Sequence, residues 1–331
     1  ASGHAGFANA KAMDIAGISD RSRSEAGGEI IRDADGNPTG IFTETAQELI
    51  RRHIPGGTQA QNRRALELAI QESLENGITS FRDASSDGDA IALYRDFFEE
   101  GKLKIRLWVM INGHDEQLLE EWLARGPDIG SGDDFLTIRA VKLFADGALG
   151  SRGAWLLGPY SDRPDHTGHA TIDMDRVYEV SRKALLSGFQ ACVHAIGDRA
   201  LEQVIGCYER LYERQPSPVR HRIEHLGLPT TDHLERVAAM RVMAVPQTVF
   251  LPALGRNFRR YLPDDYLARC YPVQSMWQHG ITVALSSDAP VVPDDSPLLG
   301  MRAAITREDH DGDPILPGEA WGCQFFAMGG G

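Results

Sequence analysis

The chain has 331 residues, 42% hydrophobic and 24% charged, the make-up of an ordinary soluble globular protein with ample material for a core. Its formal net charge of −13 argues against nucleic acid as a partner, because phosphate binding needs a surplus of lysine and arginine. No apolar run approaches the roughly 18 residues that span a bilayer, and ASGHAGFANAK has no basic region followed by an apolar stretch, so neither a membrane anchor nor a signal peptide is expected.

In chain order, the first 58 residues differ from the rest. GGEIIRDADGNPTGIFTE holds two short apolar segments around an Asp-Gly turn, a hairpin signal. Residues 1–58 are therefore expected to form a cap or insertion attached to a larger unit over 59–331. In that unit helical and strand patterns alternate. NRRALELAIQESLEN leads into ITSFRDAS, AIALYRDFFEEGKL into KIRLWVMIN, and EQLLEEWLARG into LTIRAVKLFADG. MDRVYEVSRKALLSG then precedes FQACVHAIGD, ALEQVIGCYERLYERQ precedes PVRHRIEHLG, and TDHLERVAAM precedes RVMAVPQTVF. YLARCYPVQSMWQHG precedes the last strand, ITVALSSDAP. Several helices close on a glycine just before the strand, and the strands are mostly apolar, as parallel strands covered on both faces are. About seven such units predict a parallel α/β fold, best read as a (β/α)8 barrel with one strand missing. A doubly wound sheet is second, without the Gly-rich phosphate loop it would need. The scattered cysteines Cys192, Cys207, Cys270 and Cys323 form no C-x-x-C pair, which argues against a disulfide framework and makes the cytoplasm the expected compartment.

Reactive groups in such barrels sit where strands end. Four strand ends carry residues that bind metals. They are Lys142 with Asp146, His194 with Asp198 beyond it, His225 with His221 and Glu224, and Asp288. Each has a bland reading: His194 as a hydrogen-bonded core histidine, Asp288 as a loop cap, Lys142 as half of a salt bridge with Asp146 or Glu224. Lys142 is the hardest to explain that way, because an unpaired ammonium between Val141 and Leu143 is costly to bury. Its functional readings are a Schiff-base nucleophile or a carbamate that serves as an anionic metal ligand. His221-Arg-Ile-Glu-His225 also fits H-x-x-E-H, a zinc motif that works only on a helix. SPV before it and GLP after it leave no room for one. In a strand, His221, Ile223 and His225 are expected to point one way, and Arg222 and Glu224 the other.

VKLFADGALGSR, HAIGDRA, RHRIEH and SSDAPV, in that order, resemble the motif series of the amidohydrolase superfamily, most closely its amidohydrolase-3 branch, which includes N-substituted formamide deformylase-like enzymes. SGHAGFANAKAMDIAGI and GGEIIRDADGNPTGIFTE resemble that branch's segment between the first and second barrel strands. The resemblance covers the chain to about residue 300. It implies a (β/α)8 barrel of strands 2 to 8 holding one or two divalent metals, most often zinc. It places a carboxylated lysine at Lys142, imidazole ligands at His194 and His225, and a ligand and proton carrier at Asp288. Glu224, Asp146 and Asp198 would orient ligands through hydrogen bonds, and His4, Arg152 and Gln247 would touch a small-molecule substrate. The implied activity is hydrolysis of a C–N bond in a small amide, formamide or cyclic amide by metal-activated water.

Family members also carry a first strand ending in H-x-H and an accessory β-sandwich, and neither pattern occurs in these residues. The chain is thus expected to be the central part of a longer enzyme, to hold one metal more firmly than two, and to expose sheet edges that allow homo-oligomers. Two alternatives remain. One is a shortened family member that keeps the fold with weak or no activity. The other is a Schiff-base lyase or aldolase using Lys142.

Overall fold

The computed structural model describes residues 3–24, 27–130, 133–215 and 218–322. The N-terminal part forms a three-stranded antiparallel sheet of β1 (Ala5–Phe7), β2 (Ile30–Arg32) and β3 (Pro38–Thr43), in the order β1-β3-β2, with helix α1 (Ala10–Ile15) after the first strand. β2 and β3 are the hairpin read from the Asp-Gly signal. Asp33 closes its turn, donating N–H to Asn37 O at 3.0 Å and accepting from Gly36 N at 3.1 Å. Ala8, Ile30, Phe42 and Ala46 make a separate small core here.

The second sheet is wholly parallel. β4 (Ser80–Ser86), β5 (Arg106–Asn112), β6 (Leu136–Phe144), β7 (Gln190–Ala195), β8 (Arg222–His225) and β9 (Met243–Val245) lie side by side in chain order. Helix α2 (Glu48–Arg51) ends the N-terminal part. Helices α3 (Gln59–Glu75), α4 (Gly88–Glu99), α5 (Glu116–Arg125), α6 (Met174–Leu186), α7 (Asp198–Arg214) and α8 (Thr231–Ala239) each precede one strand. The helix boundaries are chemical. A capping box between Thr58 and Gln61 opens α3, and Gly77, at φ +72°, closes it with Ile78 N donating to Ser73 O at 2.8 Å. Among the described residues no helix is long and apolar enough to cross a membrane.

The layer between this sheet and its helices is the main core, with Phe97, Leu119, Ile138, Val141, Val193, Leu201 and Ile223 fully buried. Each such side chain contributes roughly 1.5–3 kcal/mol relative to exposure. The other face of the sheet is concave. Arg222 on β8 brings Nη2 within 3.3 Å of Met110 Sδ, and its guanidinium lies 4.7 Å from the Trp108 ring centre. Both partners belong to β5, three strands away, which a flat sheet would hold about 14 Å off. The sheet is therefore curled into part of a barrel.

A β-bulge decides what faces the bore. Val109 pairs with Ile138 but Met110 pairs with Ala140, so β6 carries one extra residue at Arg139. Before the bulge the even-numbered Leu136 and Ile138 face the helices; after it Val141 and Leu143 do. One residue of slip exchanges the faces, and Lys142 is turned inward in one row with Cys192 and Arg222.

Two expectations change. The last strand, ITVALSSDAP, runs beside β9 through Ala244 N to Thr282 O and Ala284 N to Ala244 O, both 3.0 Å, but it forms only a single bridge, Ala244 to Val283, so six of the seven strands are regular. The segment read as one helix before it is broken at Pro272 into α10 (Asp264–Leu267) and α11 (Val273–Gln278), since proline cannot donate to the helical ladder. The loop TVFLPALGRNFRRYLPDD contains α9 (Phe250–Tyr261), which buries Phe250, Leu251 and Phe258. Its Pro252 lies in the first turn, where no N–H is needed. The last helix is α12 (Pro297–Thr306).

Candidate active site at the barrel mouth

The C-terminal ends of β6 and β7 meet around one aromatic ring, and the end of β8 joins them through a histidine pair. Phe144 has the Lys142 ammonium 3.8 Å from its centre, and the rings of His194, His114 and His4 at 5.6, 5.7 and 6.4 Å. His194 and His225 stand edge to face with centres 4.4 Å apart. His4, from the small sheet, lies 5.0 Å from His194.

Lys142 is 3% exposed and donates to Leu143 O at 3.1 Å. Burial pulls its pKa down to about 8, against the opposing charges of Glu224 and Asp288. His194 and His225 are both driven well below the ordinary histidine range, first by burial. Both imidazoles are thus neutral at physiological pH, the form that binds metals. Their tautomers follow from their neighbours. The Gln247 carboxamide oxygen accepts from His225 Nδ1, while Gln247 Nε2 donates to Val245 O at 2.6 Å and to Ser286 Oγ at 2.8 Å. That leaves His225 Nε2 as the lone-pair nitrogen. His194 Nε2 lies 3.3 Å from both Gly147 O and Asp146 Oδ1, so it carries the proton and Nδ1 the lone pair.

Asp146 is wholly buried and takes backbone N–H groups from Trp155, Ile196 and Gly197 at 2.9, 3.1 and 2.8 Å. Burial still pushes its pKa up to about 7. Its carboxyl ties the β6 and β7 loops together and orients His194. Glu224 faces the bore, its Oε1 accepting from Arg222 Nε at 2.8 Å. Asp198 lies further from the imidazoles: its carboxylate is taken by Leu157 N and Arg269 Nη2, both at 2.8 Å. Arg152 is bound to Asp162 at 2.5 Å and stacked 3.9 Å from the Tyr261 ring centre. Gln247 is 2% exposed and braces His225 instead of presenting itself to a substrate.

His221 and His225 do not share a face, against the strict alternation expected for this strand. His221 lies in the helix layer, its ring 5.0 and 5.4 Å from those of Tyr208 and Tyr212. His225 escapes the pattern because its φ is +74°, followed by Leu226 at +45°. Left-handed backbone is strained for residues other than glycine and concentrates at functional sites. Asp288, at φ +55°, shares this feature.

Two residues of the mouth have no place in the sequence reading. Glu44, just past β3, has Oε2 2.7 Å from His4 Nδ1 and accepts from Ser151 Oγ at 3.1 Å through Oε1. A Cβ at Gly147 would lie 2.1 Å from that same Oε1, so a larger residue there would displace the Glu44 carboxylate. The rule that reactive groups follow strand ends finds Glu44 once it is applied to the small sheet as well as the barrel. His114, just past β5, satisfies the same rule.

Among the described residues, the three-donor group whose atoms all lie within 4.8 Å of one another is Glu202, Asp232 and His233 on α7 and α8, not the mouth set. A cation already serves that group: Arg236 Nη1 contacts Glu202 at 2.8 Å and Asp232 at 3.1 Å. At the mouth, the donor chemistry fits a divalent cation, with two neutral imidazoles whose lone-pair nitrogens are set by hydrogen bonds and the Asp288 carboxylate close enough to act on His225 and Lys142.

The sequence model of the amidohydrolase family (Amidohydro_3) matches residues 1–320. The chain belongs to the amidohydrolase family. Among family relatives, YtcJ of Bacillus subtilis, a protein with an amidohydrolase name, is 32% identical over 315 residues, 92% of this chain and 57% of its own length. The N-substituted formamide deformylase of Arthrobacter pascens is 28% identical over 331 residues, 97% of this chain and 60% of its own. The chain thus spans little more than half the length of these relatives. A crystal structure of an uncharacterized metal-dependent hydrolase from Pyrococcus horikoshii superposes with a TM-score of 0.75 at 26% identity, covering 96% of this chain and 61% of that one.

Proposed function

We propose that this amidohydrolase-family chain hydrolyses the C–N bond of a small amide, formamide or cyclic amide with the help of a divalent metal, most simply zinc. The observation that carries the reading is the edge-to-face pair His194 and His225, both neutral, each with one nitrogen committed to an oxygen acceptor. With Asp288, and with Lys142 in carbamate form, they would hold the ion. When bound, such a cation supplies Lewis acidity, polarising a carbonyl and lowering the pKa of water toward neutrality.

The chain's own residues do the rest. Asp288 takes a proton from the attacking water and returns it to the leaving nitrogen as the C–N bond breaks. Gln247 and Asp146 hold the imidazoles in the required tautomers. Phe144 and Phe250 line the mouth with apolar surface, which excludes water and strengthens the local electrostatics.

The test is hydrolysis of N-formyl and N-acyl amines by the zinc-supplemented chain, with metal per chain read by plasma mass spectrometry. One ion per chain and activity lost in Lys142→Ala are expected. Equal rates in the two proteins would overturn the reading. A second reading has one observation in its favour: an amine with a pKa near 8 is a competent Schiff-base nucleophile. Borohydride trapping with a carbonyl substrate would label Lys142 in that case alone.

A further inference from the structure

The loop after β5 is braced by one hydrogen bond of its own and fastened to β6 at two points, one of them a histidine ring. Gly113 N donates to Lys142 O at 2.9 Å, and His114 N donates to Asn112 Oδ1 at 3.0 Å. Phe144 N then donates to His114 Nε2 at 3.3 Å. A Cβ at Gly113 would lie 2.8 Å from Lys142 O, so the close approach of this loop to β6 depends on glycine.

The backbone donor settles the state of the imidazole. A nitrogen that accepts from an N–H cannot itself carry a proton, so His114 is neutral and its single N–H is on Nδ1. Burial of its inner side, and after it the Lys142 ammonium, lower its pKa, in agreement with that assignment. The outer side of the residue is exposed at the mouth. Among the described residues, none accepts from Nδ1.

We infer that His114 is a further catalytic residue, whose Nδ1–H donates a hydrogen bond to the acyl oxygen of the substrate. This rests on the hydrolase reading above and deepens it. A neutral imidazole held by a backbone donor is a fixed dipole, and it stabilises negative charge gathering on an oxygen without having to reorganise. The ring stands beside Phe144, the residue that also borders Lys142 and His194, and the Lys142 ammonium is near enough to act on it, so its N–H belongs to the same mouth. No proton is transferred in this role. His114 keeps its Nδ1 proton throughout, and the bond made and the bond broken are those of the hydrolysis itself.

Two arms test the inference with the full chain. In the first, 15N-histidine labelling reads the ring nitrogens of His114 while sodium formate or acetate is added. A protonated Nδ1 whose signal, assigned by its absence from His114→Ala, shifts with carboxylate is expected. An Nδ1 signal that does not respond overturns the inference. In the second, the zinc-supplemented chain is assayed on an N-formyl amine. His114→Ala should lose about 10- to 100-fold in kcat/KM, mainly in kcat, as removal of an oxyanion donor does. His114→Gln can accept from Phe144 N and still donate, and should recover most of that loss. An alanine variant within about twofold of the wild type overturns the inference. If the wild-type chain hydrolyses nothing, the hydrolase reading fails by itself, and the carboxylate titration still decides whether His114 binds an acyl oxygen.

Discussion

His221 and His225 lie four residues apart around one short strand and live in different chemistry. His221 is on the helix side, where Ala191 N donates to its Nδ1 at 3.1 Å and its buried Nε2 has no partner among the described residues. His225 is at the mouth, with Nδ1 fixed by Gln247 and its ring against His194. Burial holds both neutral, but to different ends. In the helix layer neutrality serves packing. At the mouth it leaves a lone pair beside a second imidazole. The same contrast runs through the whole sheet, whose outer face is apolar and whose inner face carries Lys142, Arg222 and Glu224. Residue type alone does not mark a site; the face of the sheet and the partner of the second nitrogen do.

The largest effect expected from breaking this contrast is in the bore. Arg222 and Glu224 have side chains only 3% and 9% exposed. Glu224→Ala leaves a buried guanidinium without its carboxylate and should cost about 3–5 kcal/mol in urea unfolding. Replacing both by Met and Leu should recover most of that loss, because the desolvation of both charges disappears together. A double variant as unstable as the single one would show that the pair does more than compensate itself.

Next is the brace on His225. Gln247→Leu should weaken zinc binding by about 10- to 100-fold in a chelator competition, the usual cost of losing a residue that orients a ligand. His221→Gln should leave zinc binding unchanged, since that ring is on the other face. A loss of zinc affinity in His221→Gln would erase the distinction drawn between them.

A smaller effect concerns acid stability. Burial lowers the His221 pKa to about 3, whereas an unfolded chain titrates its histidines near about 6.5. Between these values the unfolded state binds a proton that the folded state does not. Stability is therefore complete above about pH 6.5 and falls as the pH drops toward about 3, by up to about 1.4 kcal/mol per pH unit from this group. His221→Gln keeps an acceptor for Ala191 N and should flatten the slope of unfolding free energy against pH in that window. An unchanged slope would place the acid sensitivity elsewhere. The smallest effect is expected far from both faces, at the exposed pair Arg256 and Asp311, where Arg256→Ala should leave the urea midpoint unchanged.

Much of this architecture is legible in the amino-acid order. Apolar runs bounded by helix-closing glycines define the parallel units, and Asp-Gly between two short apolar segments defines the hairpin. Lys142, His194 and His225 stand out because strand ends are where such barrels keep reactive groups, and the structure sets Lys142 and His194 against Phe144 and His225 against His194. Glu44 and His114 escape a reading by motif because Glu44 ends a segment that reads as a hairpin and His114 follows a strand with no motif, although both obey the same rule. The family resemblance implies a place at the site for Arg152 and Asp198, and the fold supplies each with an ion-pair partner. Their charges are taken by Asp162 and Arg269, partners separated from them by 10 and 71 positions.

What the sequence determined by itself is the succession of elements and the chemical inventory, because helical periodicity, capping and strand apolarity are local. Tertiary structure decided which side each group faces. The extra residue at Arg139 turns Lys142 into the bore, and the left-handed backbone at His225 carries its ring off the helix side and onto His194. Both depend on pairing between strands that are distant in the chain, and a one-residue change in that pairing exchanges the two faces of the sheet. The small sheet is the same case: only folding sets His4 beside His194, and Glu44 on Ser151, 107 positions away.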